Sequence, residues 1–144
     1  VKPSASHKKE KASSHGGGHG SKGDEKTKGG IVHEPGKPWM YDKLDPVVAN
    51  LDEPGVTLYI RVTVILEMSP DLDFIEGEVF LEGKKIVLQD WMTTYLAGLS
   101  LEDVRGSRNL TGIKREVLEQ FNKILFDPDK PYVEKVLFKE FAVQ

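Results

Sequence analysis

Val56-Thr57-Leu58-Tyr59-Ile60-Arg61-Val62-Thr63-Val64-Ile65-Leu66-Glu67-Met68 is the stretch on which the fold turns. Val56, Leu58, Ile60, Val62, Val64, Leu66 and Met68 alternate strictly with Thr57, Tyr59, Arg61, Thr63, Ile65 and Glu67. A period of two places successive side chains on opposite faces of a pleated strand. One face of this strand is wholly apolar and must lie against helices; the other is mixed. At the usual strand rise, thirteen residues span roughly 44 Å, longer than most strands. Tyr59, Arg61 and Ile65 therefore present a second face, or a strand edge, to solvent or to another subunit.

Working outward, Glu53-Pro54-Gly55 is a turn signal, and before it Val47-Val48-Ala49-Asn50-Leu51 is β-prone. The two strands should form a hairpin. Pro35, Gly36, Pro38 and Pro46 around Trp39 and Tyr41 mark an extended lead-in, with Trp39 sealing the edge of the core. After the long strand, Ser69-Pro70-Asp71 breaks it and supplies helix-starting chemistry. Residues 74–85 are open to two readings. Phe74 to Leu81 alternates in places, and Glu82-Gly83-Lys84-Lys85 suits a hairpin turn. Against that, Leu81, Leu88, Met92, Tyr95, Leu96 and Leu99 fall at helical spacing, with Val87 and Trp91 widening the stripe. Gly77 and Gly83 would each cost such a helix about 1 kcal/mol.

Further on, Ser100-Leu101-Glu102-Asp103 opens a capped turn that Gly106 ends. Leu110, Ile113, Val117, Leu118, Phe121, Ile124 and Leu125 then mark one face of a helix, with Lys114, Arg115, Glu116 and Glu119 opposite. Asp127-Pro128-Asp129-Lys130-Pro131 stops it, and a strand from about Tyr132 runs to Gln144. Rich in Val, Leu and Phe, this last segment should be paired into the sheet, since unpaired termini fray. The expected fold is α+β, in the order β-β-α-α-β.

The first thirty residues differ in kind. They hold seven lysines against Glu10, Asp24 and Glu25, a balance of +4, while residues 31–144 hold thirteen basic and twenty acidic residues, a balance of −7. A basic, Gly- and Ser-rich segment without aromatics buries too little apolar surface to offset its ordering entropy, so residues 1–30 are expected to form a disordered linker. Such a coil has a root-mean-square reach of roughly 30 Å. His15-Gly16-Gly17-Gly18-His19, with His7 nearby, is its only metal-like grouping. Three glycines preclude the helix that would align those imidazoles, which favours a plain linker over a metal site. The acidic remainder argues against nucleic acid as the main partner.

At 144 residues, 38% hydrophobic and 30% charged, the chain has room for one domain. It has no cysteine, which excludes disulfides, thiolate metal sites and a Cys nucleophile. No run reaches the 18 to 20 apolar residues of a membrane span. Apart from the linker, the one histidine is His33, beside Glu34, so no Ser-His-Asp constellation can be assembled. Asp71, Asp73, Glu76 and Glu78 cluster where a helix would begin, a placement that capping and the helix dipole explain without a metal.

The closing pattern Val136-Leu137-Phe138-Lys139-Glu140-Phe141-Ala142-Val143-Gln144 resembles the ending of the FliL family of flagellar basal-body proteins. The resemblance extends to Leu44-Asp45-Pro46-Val47-Val48-Ala49-Asn50-Leu51 and to Tyr59-Ile60-Arg61-Val62. It continues through Tyr95-Leu96-Ala97-Gly98-Leu99-Ser100-Leu101-Glu102-Asp103-Val104 to Phe121-Asn122. Together these pieces cover most of residues 44–144.

The resemblance implies a stomatin/prohibitin (SPFH)-like periplasmic domain over residues 31–144, and helix across residues 71–98. It implies a single-pass inner-membrane anchor upstream of Val1 and a non-enzymatic scaffold without cofactors. As partners it implies further copies of the chain in a homo-oligomeric ring, the stator proteins MotA and MotB, and the basal-body MS ring. Tyr59, Arg61 and Ile65 of the long strand, with Phe138 and Phe141 of the last, are the expected interface residues. The alternatives are an SPFH-like oligomeric membrane scaffold unrelated to motility and, more remotely, a metal-dependent protein using the His-containing tail.

Overall fold

The computed structural model describes residues 34–144. The proposed linker, its histidines and His33 lie outside the described residues. Three short-range strands precede the helices: β1 (Trp39–Tyr41), β2 (Val47–Asn50) and β3 (Tyr59–Met68). Then come α1 (Phe74–Glu82), α2 (Lys85–Ala97), a 3-10 turn (Glu102–Val104), α3 (Ser107–Leu125) and the closing strand β4 (Val133–Val143).

All strand pairings are antiparallel, and β3 is the hub. One of its edges takes β2 in the register Val47↔Val62 to Asn50↔Tyr59, and β1 in the register Trp39↔Met68 to Tyr41↔Leu66. Its other edge takes the whole of β4. The expected alternation holds, and it is in phase: Ile60, Val62, Val64, Leu66 and Met68 are all buried. Each such side chain removed from water stabilises the fold by roughly 1.5–3 kcal/mol before entropy is counted. The helices cover that face, with α2 over β2 and α3 over β4.

Three expectations need correcting. The order is not β-β-α-α-β, because Trp39–Tyr41 adds a strand and the helical region contains three helices rather than two. β3 begins at Tyr59, not Val56. Gly55 adopts φ +86° in the turn, and Val56 is exposed rather than facing the core. Because β2 and β4 pair with Tyr59 and Arg61 from both sides, these two can offer a face but not an edge, while Ile65, paired with Leu137 of β4, lies between the stretches of β3 that β2 and β1 take.

Residues 74–85 are helical, not a hairpin. Asp73 caps α1, its carboxylate accepting from the Glu76 amide at 3.0 Å, and Gly83 ends that helix before α2 restarts at Lys85. Gly77 is a packing requirement: a Cβ there would come within 2.6 Å of Trp39 Cζ2 and 2.8 Å of Cη2. Trp39 is buried, as a residue sealing the core should be. Its indole Nε1 donates to the Leu72 carbonyl at 2.9 Å, and its ring meets Phe74 edge-on with centroids 5.2 Å apart. In α2, Leu88, Met92 and Leu96 are buried as the stripe predicts, but Val87 faces outward.

The region before α3 also follows its sequence signal. Ser100 and Asp103 form a reciprocal capping pair, each side-chain oxygen accepting from the other residue's amide at 2.9 and 3.2 Å. Gly106, at φ +86°, redirects the chain into α3, which buries Ile113, Val117, Phe121 and Leu125. Asn122 then clamps the start of β4. Its amide nitrogen donates to the Val133 carbonyl and its carbonyl accepts from the Val133 amide, both at 3.0 Å.

Candidate interaction surfaces

The face of the sheet turned away from the helices carries the second set of β3 side chains. Register places Val48 and Ala142 on either side of Arg61, Glu140 opposite Thr63, Leu137 opposite Ile65, and Lys135 and Met40 beside Glu67. Val48 and Tyr59 are exposed, while Arg61 and Ile65 are partly covered. Arg61 Nε donates to Glu140 Oε1 at 3.0 Å, and the Thr63 hydroxyl donates to the same oxygen at 3.2 Å. Both charged side chains remain well exposed, so this ion pair contributes less than about 1 kcal/mol. It fixes Arg61 across the strand pair, as a solvated face with its own ion pairs would. Around it Val48, Tyr59, Ile65 and Leu137 leave apolar surface available for a contact.

The five expected interface residues do not share a face. Tyr59, Arg61 and Ile65 lie on the open side, whereas Phe138 pairs with Val64 and Phe141 with Val62, on the helix side. Two register shifts, between Thr63 and Val64 and between Glu67 and Met68, explain this. An extra residue in β4 at each shift changes which parity faces inward. Phe138 and Phe141 thereby stand on one face although three apart, with ring centroids 4.9 Å apart, packed against the core. The Lys114 ammonium sits 5.4 Å from the Phe138 ring centroid, closing the rim.

A second surface escaped the sequence reading. Ile75 and Val79 are both 70% exposed, Ile86 is 81% exposed and Val87 48%. Ile75 and Val79 are four apart on α1, on the side away from buried Gly77 and Leu81. Their signal in the sequence was the surplus of apolar residues once Leu81 and Leu88 are assigned to the core. It was masked while residues 74–85 stood between helix and hairpin.

Elsewhere, an apolar-lined groove of about 520 Å³ runs between α3 and the segment that follows it, with Leu118, Phe126, Pro128 and Pro131 on its walls. Of the acidic residues before and within α1, Asp73 caps the helix and Glu78 pairs with Lys43 at 3.1 Å. Among the described residues no group of three His, Asp or Glu side chains is arranged to hold a metal, and no helix is long and apolar enough to cross a membrane.

Residues 40–144 match the family described as "Flagellar basal body-associated protein FliL". The chain belongs to the FliL family. The match begins within β1 and runs through β4, so the sheet and all three helices lie inside it. A curated relative, the "Flagellar protein FliL" of Aquifex aeolicus (strain VF5), is 28% identical over 105 residues, covering 73% of this chain. Those residues span 61% of the Aquifex FliL protein's own length. The FliL resemblance in the sequence, drawn over residues 44–144, is thus borne out.

Proposed function

We propose that this FliL-family domain is a non-enzymatic periplasmic scaffold, tethered to the inner membrane, that assembles as a ring around the MotA/MotB stator units. It would hold the stators in their active form and so support torque and motility. The carrying observation is the family match over residues 40–144, with a layered domain that leaves one sheet face open beside it. A stomatin/prohibitin-like character of the domain belongs to the same proposal, supported by an antiparallel sheet whose helices are gathered on one side.

In this reading the open face, through Tyr59, Arg61 and Ile65, is the contact surface toward stator or neighbour. Phe138 and Phe141 contribute only their partly exposed ring edges at the rim of β4. Modest contacts suffice, because tethering to one membrane raises effective concentration and lets a closed ring form where free domains stay apart. The test is deletion of the gene in its motile host, with swimming measured on soft agar and the motor imaged in place. Loss of density around the stators together with weakened swimming is the expected result. Unchanged swimming and unchanged motor density would refute the proposal, and loss of a membrane phenotype unconnected with motility would point to a scaffold of another kind.

A further inference from the structure

β1 is the shortest strand of the sheet, and it ties α1 to the domain. Among the described elements α2 packs on β2 and α3 on β4, whereas α1 packs closely along none of the strands. Side chains from β1 and the residues after it bridge that distance. Trp39 and Tyr41, two apart, turn to the helix side and are buried, while Met40 between them lies on the open face. Trp39 donates to the Leu72 carbonyl ahead of α1, sets its ring against Phe74 in the first turn, and lies over the bare Cα of Gly77 in the middle. At the far end the Tyr41 hydroxyl donates to Glu82 Oε1 at 3.3 Å, and Lys43 pairs with Glu78. Beyond these contacts, Leu81 in the core and Phe80 against Phe126 hold the C-terminal half of the helix.

β1 is also the first fixed point of the domain for anything that acts along the chain from residues 1–33. Residues 34–38 are exposed, and their bonds run among themselves: the Lys37 amide to the Glu34 carbonyl at 3.2 Å, and the Lys37 ammonium to the Glu34 carboxylate. A pull arriving at Glu34 therefore loads the three pairs Trp39↔Met68, Met40↔Glu67 and Tyr41↔Leu66 before any other part of the sheet. We infer that β1 is a releasable strap: a pull on the preceding chain peels it from β3, and α1 loosens with it. Segments held by few buried contacts open below the free energy of global unfolding. With β1 gone, Leu72 and Gly77 lose the indole that covers them, and the Leu66–Met68 edge of β3 is left unpaired, a template for another strand. The strap thereby couples tension on the chain to the state of α1 and of one sheet edge. The pull, though not the coupling, rests on the membrane tether of the proposed function.

The chain has no cysteine, so a clamp can be introduced without background. Met40 and Glu67 are direct cross-strand partners on the open face, and the Cα spacing of such partners suits a disulfide. The test uses the 144-residue chain carrying Met40→Cys and Glu67→Cys, compared with the bridge closed and reduced. In native-state hydrogen exchange the reduced protein should exchange the α1 amides from Gly77 to Glu82 at least tenfold faster than the slowest amides of α3, and closing the bridge should slow those α1 amides at least tenfold. α1 amides indifferent to the clamp would mean that the helix opens without β1. α1 amides no faster than the α3 core in the reduced protein would mean that it opens only with the whole domain. Either result overturns the inference. Pulled in optical tweezers between its N-terminus and Gln144, the reduced chain should first lengthen by a reversible step of roughly 40 Å, the extended length of about 12 residues from Glu34 to the start of β2. Closing the bridge should abolish that step, and a single all-or-none extension of the reduced chain would overturn release by pull. Neither measurement involves a stator or a second copy, so failure here leaves the ring reading standing, and failure of the ring reading leaves the strap.

Discussion

Replacing Gly77 by alanine should destabilise the domain, although alanine is the better helix former. In an open helix the change would gain about 1 kcal/mol from propensity alone. Here the new methyl would meet Trp39 Cζ2 at 2.6 Å, Cη2 at 2.8 Å and Leu72 Cδ2 at 3.1 Å. The indole has little room to yield. Its Nε1 is hydrogen-bonded to the Leu72 carbonyl, its ring is set against Phe74, and its backbone in β1 is paired with Met68 of β3. Forcing a methyl into such a site costs about 1–3 kcal/mol. Set against the propensity gain, the net is a loss of up to about 2 kcal/mol. Gly112→Ala in α3 is the internal control, since nothing lies within 4 Å of the added Cβ, and it should stabilise by about 0.5–1 kcal/mol. Urea unfolding of both variants and the parent reads the difference as opposite shifts of the midpoint at constant slope. A Gly77→Ala midpoint that rises as far as that of Gly112→Ala would refute the packing argument.

Other expectations follow from single contacts. Asn122→Leu removes both bonds to Val133 and leaves a buried amide and carbonyl short of partners, so it should cost about 1–3 kcal/mol and speed hydrogen exchange at the Val133 amide above that of Val136. Asp73→Ala should cost about 1 kcal/mol by uncapping α1, measured again by urea midpoint. Burial, and then the Glu82 carboxylate, push the Tyr41 phenol above its ordinary range. The folded state thus holds that proton more tightly than the unfolded chain. Stability from the neutral phenol is whole below about pH 10 and is lost as pH rises from there toward the raised folded value. Tyr41→Phe should therefore flatten the decline of the urea midpoint between about pH 10 and 11, and a parent-like slope in that variant would contradict the assignment. Arg61→Ala should move stability by less than about 1 kcal/mol, because its bond to Glu140 is solvent-exposed.

Much of the fold was legible where one local rule acted alone. The period of two in β3 survives because the strand is central, covered by helices on one side and flanked by strands on both, so every second residue has a single destination. The 53–55 turn and the Ser100/Asp103 capping pair are short-range devices, and both are present. β1 was not legible, since three residues between prolines carry no period. They form a strand because the end of β3 supplies a free edge. α1 was ambiguous because its apolar residues fall on two sides, one buried through Leu81 and one left outside through Ile75 and Val79. A helix that keeps an uncovered apolar side loses the amphipathic signature by which helices are recognised.

The last strand shows why the expected contact residues divided as they did. Simple alternation would put Phe138 and Phe141, an odd number of residues apart, on opposite faces, and nothing in the run Phe138-Lys139-Glu140-Phe141 tells which one faces the core. The register shift beside Thr63 supplies the missing residue of phase and turns both rings inward. The same shift sets Glu140 opposite Thr63, on the open face, where its carboxylate reaches Arg61. One irregularity in the ladder therefore settles two things at once: it packs the phenylalanines and it gives Arg61 its anion. Deleting Lys139, the residue the ladder skips, would straighten β4 here and leave Phe138, Glu140 and Phe141 in simple alternation opposite Val64, Thr63 and Val62, so both rings would stay inward and Arg61 would keep Glu140. A cooperative urea transition is therefore the expected result, and a variant that no longer folds would mean that the bulge itself, with the bend it puts into β4, is required by the fold.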